Sequence, residues 1–232
     1  MGKITKAQEK SVNQLVDLYK ANLDIIQTFG LAVSSAITLK PELSSDIHSM
    51  KMRMKDPDHL REKLLKKVKE ARDAGEEFGI TPSNLLTMIN DLVGVRVLHL
   101  YTRQIARINK SLLEVFDEQS FDLLEGPEAR TWDDESREFF DECKIKTKSS
   151  KSMYTSVHYV VGSASRTTVT CEIQVRTLME EVWGEVDHLL NYPVPSEILS
   201  SREQLKVLAK VTASASRLVD SIIVTDDAAK RT

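Results

Sequence analysis

Between residues 90 and 176 the apolar residues of this chain change period, and that change limits the possible folds more than any other feature. Upstream, Val12, Leu15, Val16, Tyr19, Leu23 and Ile26 recur at helical spacing, so residues 6–28 read as an amphipathic helix. A second helix is expected from about His59 to Phe78. Pro57 lies just before it, Leu60, Leu64 and Val68 form one stripe, and Gly75 and Gly79 flank its end. Thr81-Pro82-Ser83 reads as the cap of a short helix leading into Asn90. Then Leu92-Val93-Gly94-Val95-Arg96-Val97-Leu98 is short and β-branched, the mark of a buried strand. Residues 103–117 return to helix, with Ile105, Ile108, Leu112, Val115 and Phe116 inward. Phe121–Leu124 is a weaker strand. Val157–Gly162 and Val169–Arg176 are clearer ones, joined by the polar turn at 163–166. Met179, Val182, Trp183, Val186 and Leu190 mark a helix ended by Pro193 and Pro195. Leu205, Leu208, Val211, Ala215, Leu218 and Ile222 mark a last helix, followed by a polar tail expected to be loose.

Helices, then strands mixed with helices, then helices again imply an α/β or α+β fold. The expected architecture is a central mixed sheet of about five strands flanked by helices. A helical extension would cover residues 1–47, the main domain 48–195, and a C-terminal helix with its tail 196–232. With 232 residues and 41% hydrophobic composition, the chain can bury a substantial core. No apolar run approaches the roughly 20 residues that span a bilayer. The N-terminus MGKITKAQEK lacks the apolar core of a signal peptide, so the expected compartment is the cytoplasm, with no membrane partner. Cys143 and Cys171 are too few and too isolated for a disulfide framework or a zinc site.

A net charge of −3 argues against wholesale binding of nucleic acid, but local charge is uneven. Residues 51–72 hold nine Lys/Arg against four acids, and residues 131–142 hold six acids against Arg137. A polyanionic ligand is drawn to the first stretch and away from the second. Strand alternation adds chemistry to this. In Cys171–Arg176, the side chains of Glu172, Gln174 and Arg176 share one face, opposite Ile173 and Val175. Tyr154, Ser156 and His158 share one face of the neighbouring segment, and Asp91 opens a third strand. A row of acid, amide and guanidinium is costly on a sheet unless water or a ligand satisfies it. The plain alternative is an antiparallel sheet with one solvated face. Two carboxylates beside a basic segment instead suit magnesium and nucleotide phosphates.

Asp91-Leu92-Val93-Gly94-Val95-Arg96, Tyr154-Thr155-Ser156-Val157-His158 and Glu172-Ile173-Gln174-Val175-Arg176-Thr177 stand in order, followed by Trp183, His188 and Tyr192. This series resembles the synthetase domain of the RelA/SpoT family, which makes guanosine tetra- and pentaphosphate. Arg53-Met54-Lys55 with Lys63 looks like the family's ATP-binding basic segment. The match runs from about residue 48 to 193. With no hydrolase domain before it and no regulatory region after it, the chain resembles a small alarmone synthetase. The resemblance implies a nucleotidyltransferase-like domain that moves pyrophosphate from ATP to the ribose 3′-hydroxyl of GDP or GTP. It implies that Asp91 binds Mg2+, and that Glu172 binds it too or helps deprotonate the attacking hydroxyl. Arg53, Lys55 and Lys63 would hold ATP phosphates. Tyr154 would stack on the acceptor base, with His158 and Gln174 contacting the acceptor nucleotide. Arg176 would order the site, His188 would close it, and Trp183 would be core.

The chain also departs from the family. Ser152-Met153 replaces the usual Asn-Gly before the stacking tyrosine, His59 stands where a serine commonly follows the Arg-x-Lys element, and Gly184 replaces an alanine after the tryptophan. Two other functions keep the fold. Some small relatives are toxins that pyrophosphorylate the 3′ end of tRNA, and the basic 51–72 segment would serve RNA too, although the net charge and the lack of a long basic extension weigh against it. An inactive nucleotide-sensing module is the other, opposed by the presence of Asp91, Glu172, Arg53 and Lys55. Asp187-His188 as a metal phosphohydrolase motif lacks companion ligands, since histidines 48, 59, 99 and 158 are scattered over unlike elements. Small members of the family often form tetramers through terminal helices, and the amphipathic helices at 6–28 and 202–222 suit a homo-oligomer.

Overall fold

The computed structural model describes residues 4–150, 152–191 and 194–230. Thr5 opens α1 (Lys6–Ala21) with a capping box, its hydroxyl accepting from the Gln8 amide while the Gln8 side chain accepts from the Thr5 amide. Asn22 leaves helical geometry and its side chain donates to Leu18 O, after which the chain resumes as α2 (Leu23–Leu39), bent by 58° from α1. The single helix expected over 6–28 is therefore two. There follow α3 (Pro41–Ser44), β1 (Ser49–Met54) and α4 (Pro57–Asp73), whose N-cap Asp56 accepts from the amides of Asp58 and His59. The middle holds α5 (Leu85–Met88), β2 (Val93–His99), α6 (Gln104–Glu118), β3 (Asp122–Thr131), α7 (Asp134–Glu142) and β4 (Lys146–Ser149). Last come β5 (Ser156–Gly162), β6 (Thr170–Thr177), α8 (Leu178–Asn191) and α9 (Leu199–Lys230).

The fold is α+β, as expected, with a mixed sheet in the order β1-β2-β6-β5-β3-β4. β2–β6 and β3–β4 pair parallel, and the other neighbours pair antiparallel. Among the described residues the sheet has six strands, against the expected number of about five. The basic 51–72 stretch divides between β1 and α4. β1 escapes sequence reading because Ser-Met-Lys-Met-Arg-Met alternates through unbranched methionines. β4 (Lys-Thr-Lys-Ser) has no apolar residue to signal it, and its lysines suit an edge strand that must not pair with other chains. α9 continues through the expected loose tail to Lys230. Ala228 and Ala229 favour helix there, and Lys230 pairs with Asp226 one turn back. Tyr192 and Pro193 lie outside the described residues.

One face of the sheet is the core. Val93, Val95, Val97, Ile173, Val175, Val157 and Tyr159 form a single buried cluster with Ile26, Phe29 and Val33 of α2 and with Ile105, Leu112 and Phe116 of α6. Val12, Leu15 and Tyr19 of α1 belong to the same cluster. Among the described residues no single helix is long and apolar enough to cross a membrane, and the bent α1–α2 pair turns its apolar side into this core.

Helix α2 comes close to the sheet at Gly30, where an added Cβ would lie 2.4 Å from Val93 Cγ2 and 2.9 Å from Met52 Sδ. Val93 is fully buried and stiff at χ1, so it cannot step aside cheaply. Overpacking costs about 1–3 kcal/mol, against the 0.5–1 kcal/mol or so that alanine gains over glycine in a helix. Gly30→Ala is thus expected to lower the urea midpoint and Tm, although alanine is the better helix former. A midpoint equal to or above that of the parent protein would show that α2 does not press on β2.

Candidate active site

Strand register assembles the site on the other face. Gly94 of β2 stands beside Glu172 of β6, and Arg96 beside Gln174. β5 places His158 opposite Gln174, and β1 adds Arg53 opposite Gly94. Asp91 lies in the turn that enters β2. Both carboxylates, expected to meet on neighbouring strands, line the same two cavities. One, of about 110 Å³, is walled by Arg53, Lys55, Asp91, Arg96, Glu172 and Gln174. The other, of about 420 Å³, shares Asp91, Glu172 and Gln174 and adds Lys63, Lys67 and His158.

Charge within these cavities is closely paired. Lys55 Nζ donates to Asp91 Oδ2 at 2.9 Å and Lys63 Nζ to Oδ1 at 2.7 Å. Burial pushes the Asp91 pKa up, but the charges of Lys63 and Lys55 outweigh it and hold the carboxyl below its usual value. Burial likewise opposes the charge on Glu172, and the hydrogen bond and charge of His158 overcome it. His158 Nδ1 lies 3.0 Å from Glu172 Oε1, and Gln174 Nε2 donates to Oε2 at 3.1 Å. The second ring nitrogen of His158 meets Ser156 Oγ at 2.6 Å. Serine, histidine and acid in a chain suggest a nucleophile, but Ser156 is 2% exposed and out of reach of a substrate. The chain instead fixes Glu172. Arg53 is exposed and pairs with no side chain among the described residues.

A third cavity, of about 270 Å³, is lined by Tyr154, Arg176, Trp183, Gly184, Asp187 and His188. The Arg176 guanidinium stands 5.5 Å from the centre of the Tyr154 ring, and Trp183 lies tilted beside that ring at 6.2 Å. Trp183 is core, as expected, 4% exposed with its Nε1 donating to Leu205 O at 3.1 Å. Two of the departures from the family pattern, at Met153 and Gly184, acquire a physical meaning here. Met153 packs with Trp183, Leu205 and Ala209, tying the segment before Tyr154 to α9. A Cβ at Gly184 would come within 2.8 Å of Arg176 Nη1, so glycine leaves room for the guanidinium.

Four residues of the site, Arg96, Glu181, Glu185 and Tyr19, were not assigned to it from the sequence. Arg96 was legible, because Val93, Val95 and Val97 turn inward and leave Gly94 and Arg96 on the site face. Glu181 and Glu185 of α8, which bind Arg96 at 2.6 and 2.7 Å, are one helical turn apart but carry no other signal. Tyr19 of α1 is fully buried and donates its hydroxyl to Lys55 O, a contact between elements that nothing in the sequence connects.

Residues 52–197 match the model of the region found in RelA / SpoT proteins, which is more than half of the chain. The chain belongs to the RelA/SpoT family. Its fold is shared with the small alarmone synthetase 1 of Bacillus subtilis bound to its product pppGpp, at 20% identity and a TM-score of 0.58, covering 89% of this chain and 95% of that one. The same Bacillus subtilis protein bound to AMPCPP matches at 19% identity and a TM-score of 0.55, over 94% of this chain and 98% of that one. A GTP pyrophosphokinase family protein from Streptococcus pneumoniae matches at 21% identity and a TM-score of 0.55, over 97% of both chains. No curated protein matches.

Within the RelA/SpoT region, Glu180 on α8 is a carboxyl of a different kind. It is 5% exposed and accepts the Thr155 amide at 3.2 Å, next to Tyr154. Burial pushes its pKa from 4.5 up to about 7, against the Thr155 hydrogen bond and the charge of Arg176, with Asp133 adding to the rise. Between these two pH values the folded protein holds a proton that the unfolded chain has lost. Stability from this group is therefore full at low pH and falls as pH rises toward 7, by up to about 1.4 kcal/mol per pH unit. Glu180→Gln keeps an acceptor for Thr155 and removes the titration. The difference in urea stability between variant and parent is expected to grow in the variant's favour from pH 5 to pH 7 and then level off. A difference that stays flat would place the Glu180 pKa near 4.5.

Proposed function

We propose that this chain is a pyrophosphokinase that transfers the terminal pyrophosphoryl group of ATP to the ribose 3′-hydroxyl of GDP or GTP, releasing AMP. One observation carries the reading: Asp91 and Glu172 meet Lys55 and Lys63 in shared cavities, with an aromatic-lined cavity next to them on the same sheet face. Membership of the RelA/SpoT family supports it, as do the ligands of the Bacillus subtilis synthetase of like fold, pppGpp in one structure and an ATP analogue in another.

In this reading Arg53, Lys55 and Lys63 bind the donor phosphates, and Tyr154 lines the place of the acceptor base. The 3′-oxygen attacks the β-phosphorus of ATP, the bond from that phosphorus to the bridging α,β-oxygen breaks, and AMP leaves with the electron pair. Glu172, held in place by His158 and Gln174, is placed to take the hydroxyl proton or to share a cation. With both its ring nitrogens engaged by protein, His158 acts on the acceptor through Glu172. The cations spread along the phosphates balance the charge that develops on the leaving group.

Among the described residues no group of three or more His, Cys, Asp and Glu side chains could hold a metal unaided. Two carboxylates are what Mg2+ asks of a protein when phosphates and water complete its shell. Asp91 and Glu172 would hold that ion, which supplies Lewis-acid stabilisation of the transferring group. Donor phosphates offer Lys55 and Lys63 a new counter-charge and so free Asp91 for this task. The exposed stripe Val207, Val211, Leu218 and Ile222 on α9 supports self-association through that helix.

The test is to incubate the protein with γ-labelled ATP and, separately, GDP, GTP, ATP and tRNA. Label is expected on GDP and GTP, and label on the tRNA 3′ end alone would make the acceptor RNA. Glu172→Gln is expected to lower turnover by about 10² to 10⁴ with an unchanged circular dichroism spectrum. Retention of full turnover would remove Glu172 from the chemistry. Tyr154→Ala is expected to weaken acceptor binding by the ~1–3 kcal/mol of one base stack while leaving ATP affinity intact. Equal loss for donor and acceptor would separate Tyr154 from the acceptor.

A further inference from the structure

A single carboxylate joins the cavity assigned to the donor with the cavity assigned to the acceptor. Glu181 Oε1 accepts from Arg96 Nη1 at 2.6 Å, and Glu181 Oε2, which has no hydrogen-bond partner among the described residues, forms an ion pair with Arg176 Nη2. Arg96 is a wall of the cavity that contains Arg53, Lys55, Asp91 and Glu172. Arg176 is a wall of the Tyr154 cavity, with its guanidinium against the Tyr154 ring. All three side chains are largely withdrawn from water, at 12% exposure for Arg96, 18% for Glu181 and 4% for Arg176. The two arginines sit on adjacent strands, two residues apart in register, since Arg96 pairs with Gln174. Each also has a buried Nε without a hydrogen-bond partner among the described residues. Both guanidiniums are thus incompletely satisfied by the protein and share their main counter-charge.

We propose that Glu181 is a positioning residue that couples the two cavities, so that filling one raises the affinity of the other. The inference rests on the donor and acceptor assignments above. Buried charges in a low-dielectric setting cannot go without a partner, so a carboxylate shared between two guanidiniums is divided between them. An anionic donor that approaches Arg96 gives it an alternative counter-charge. Glu185, which touches Arg96 at 2.7 Å from a 57% exposed position, does the same from outside. Glu181 is then left to Arg176, and the guanidinium is held more firmly over Tyr154, where the acceptor is to dock. Linkage requires the effect to be reciprocal, with the acceptor improving donor affinity by the same factor.

Calorimetric titration tests this without turnover. The dissociation constant of GDP is measured alone and with saturating AMPCPP, then that of AMPCPP with and without GDP. In the parent protein both are expected to tighten by the same factor, at least about fivefold. In Glu181→Gln the factor is expected to fall to about 1, because a neutral amide no longer balances two guanidiniums. In Glu185→Gln, where only Arg96 loses a partner, the factor should stay near that of the parent. Should Glu181→Gln not fold, Glu181→Asp answers the same question, since it keeps the charge but is too short to span both arginines. No coupling in the parent, coupling that survives at Glu181, or equal loss at Glu185 would each overturn the proposal. Failure of the parent protein to bind either nucleotide would instead overturn the functional assignment.

Discussion

Parallel pairing of β2 with β6 sets Gly94 beside Glu172 and Arg96 beside Gln174, and a slip of one residue would turn Glu172, Gln174 and Arg176 toward Val95, Val157 and Phe116. Burying an unpaired carboxylate and guanidinium there would cost several kcal/mol each, so competing registers are strongly disfavoured. The apolar alternation that gives the sheet its stability therefore also places the polar groups. Gly94 permits a close approach at the critical point, because a Cβ there would already stand 3.3 Å from the Glu172 carbonyl oxygen. The other strands extend this arrangement, with β5 bringing His158 to Glu172 and β1 bringing Arg53 to Gly94. Core and site are two faces of one register.

Given that face, its electrostatics follow from the need to neutralise charge away from water. Asp91 lies between Lys55 and Lys63, Glu172 between His158 and Gln174, and Arg96 between Glu181 and Glu185. A phosphate-bearing ligand entering such a site competes with carboxylates for cations that already have partners. Binding is then an exchange of partners rather than the addition of charges to an open basic patch. An overall charge of −3 is compatible with anion binding for this reason. The field that matters is set by which pairs open, and those pairs span the β1–α4 junction, the start of β2 and the first turns of α8.

Much of this was legible from the chain because side-chain period and local chemistry coincide. Glu172, Gln174 and Arg176 alternate with Ile173 and Val175, and the same rule explains Ser156 and His158, while Tyr154 lies before β5 begins. β1 and β4 were hidden because a strand built from methionine and lysine, or from lysine and threonine, lacks the branched apolar residues that mark strands. The break at Asn22 was hidden because the apolar stripe continues across it and only the backbone turns. Glu181 could not be assigned to the site, since an acidic residue in the first turn of a helix is ordinary cap chemistry. Its role comes from the fold, which carries α8 back over the face that holds Arg96 and Arg176.

Contacts made by the two ends of the chain show why a family motif and a physical unit need not share limits. The RelA/SpoT match begins inside β1 and ends beyond α8. Tyr19 of α1, outside that match, donates to the carbonyl of Lys55, and Asn13 accepts from Arg61 of α4 at 3.1 Å. Both lysines that bind Asp91 are thus carried on segments that α1 braces. At the other end α9 accepts the Trp183 indole on Leu205 O, places Ser216 Oγ 3.2 Å from Thr177 and pairs Arg217 with Asp133 at 3.0 Å. These contacts hold the start of α8, and with it Glu181, against the end of β6. The Asp91 side of the site leans on the N-terminal helices and the Tyr154 side on the C-terminal helix. The residues by which the family is recognised lie between these ends, on the strands, the turns that enter them, α4 and α8. A misplacement of about 1 Å can cost a reaction about a hundredfold in rate, so packing far from the motifs sets what the motifs can do.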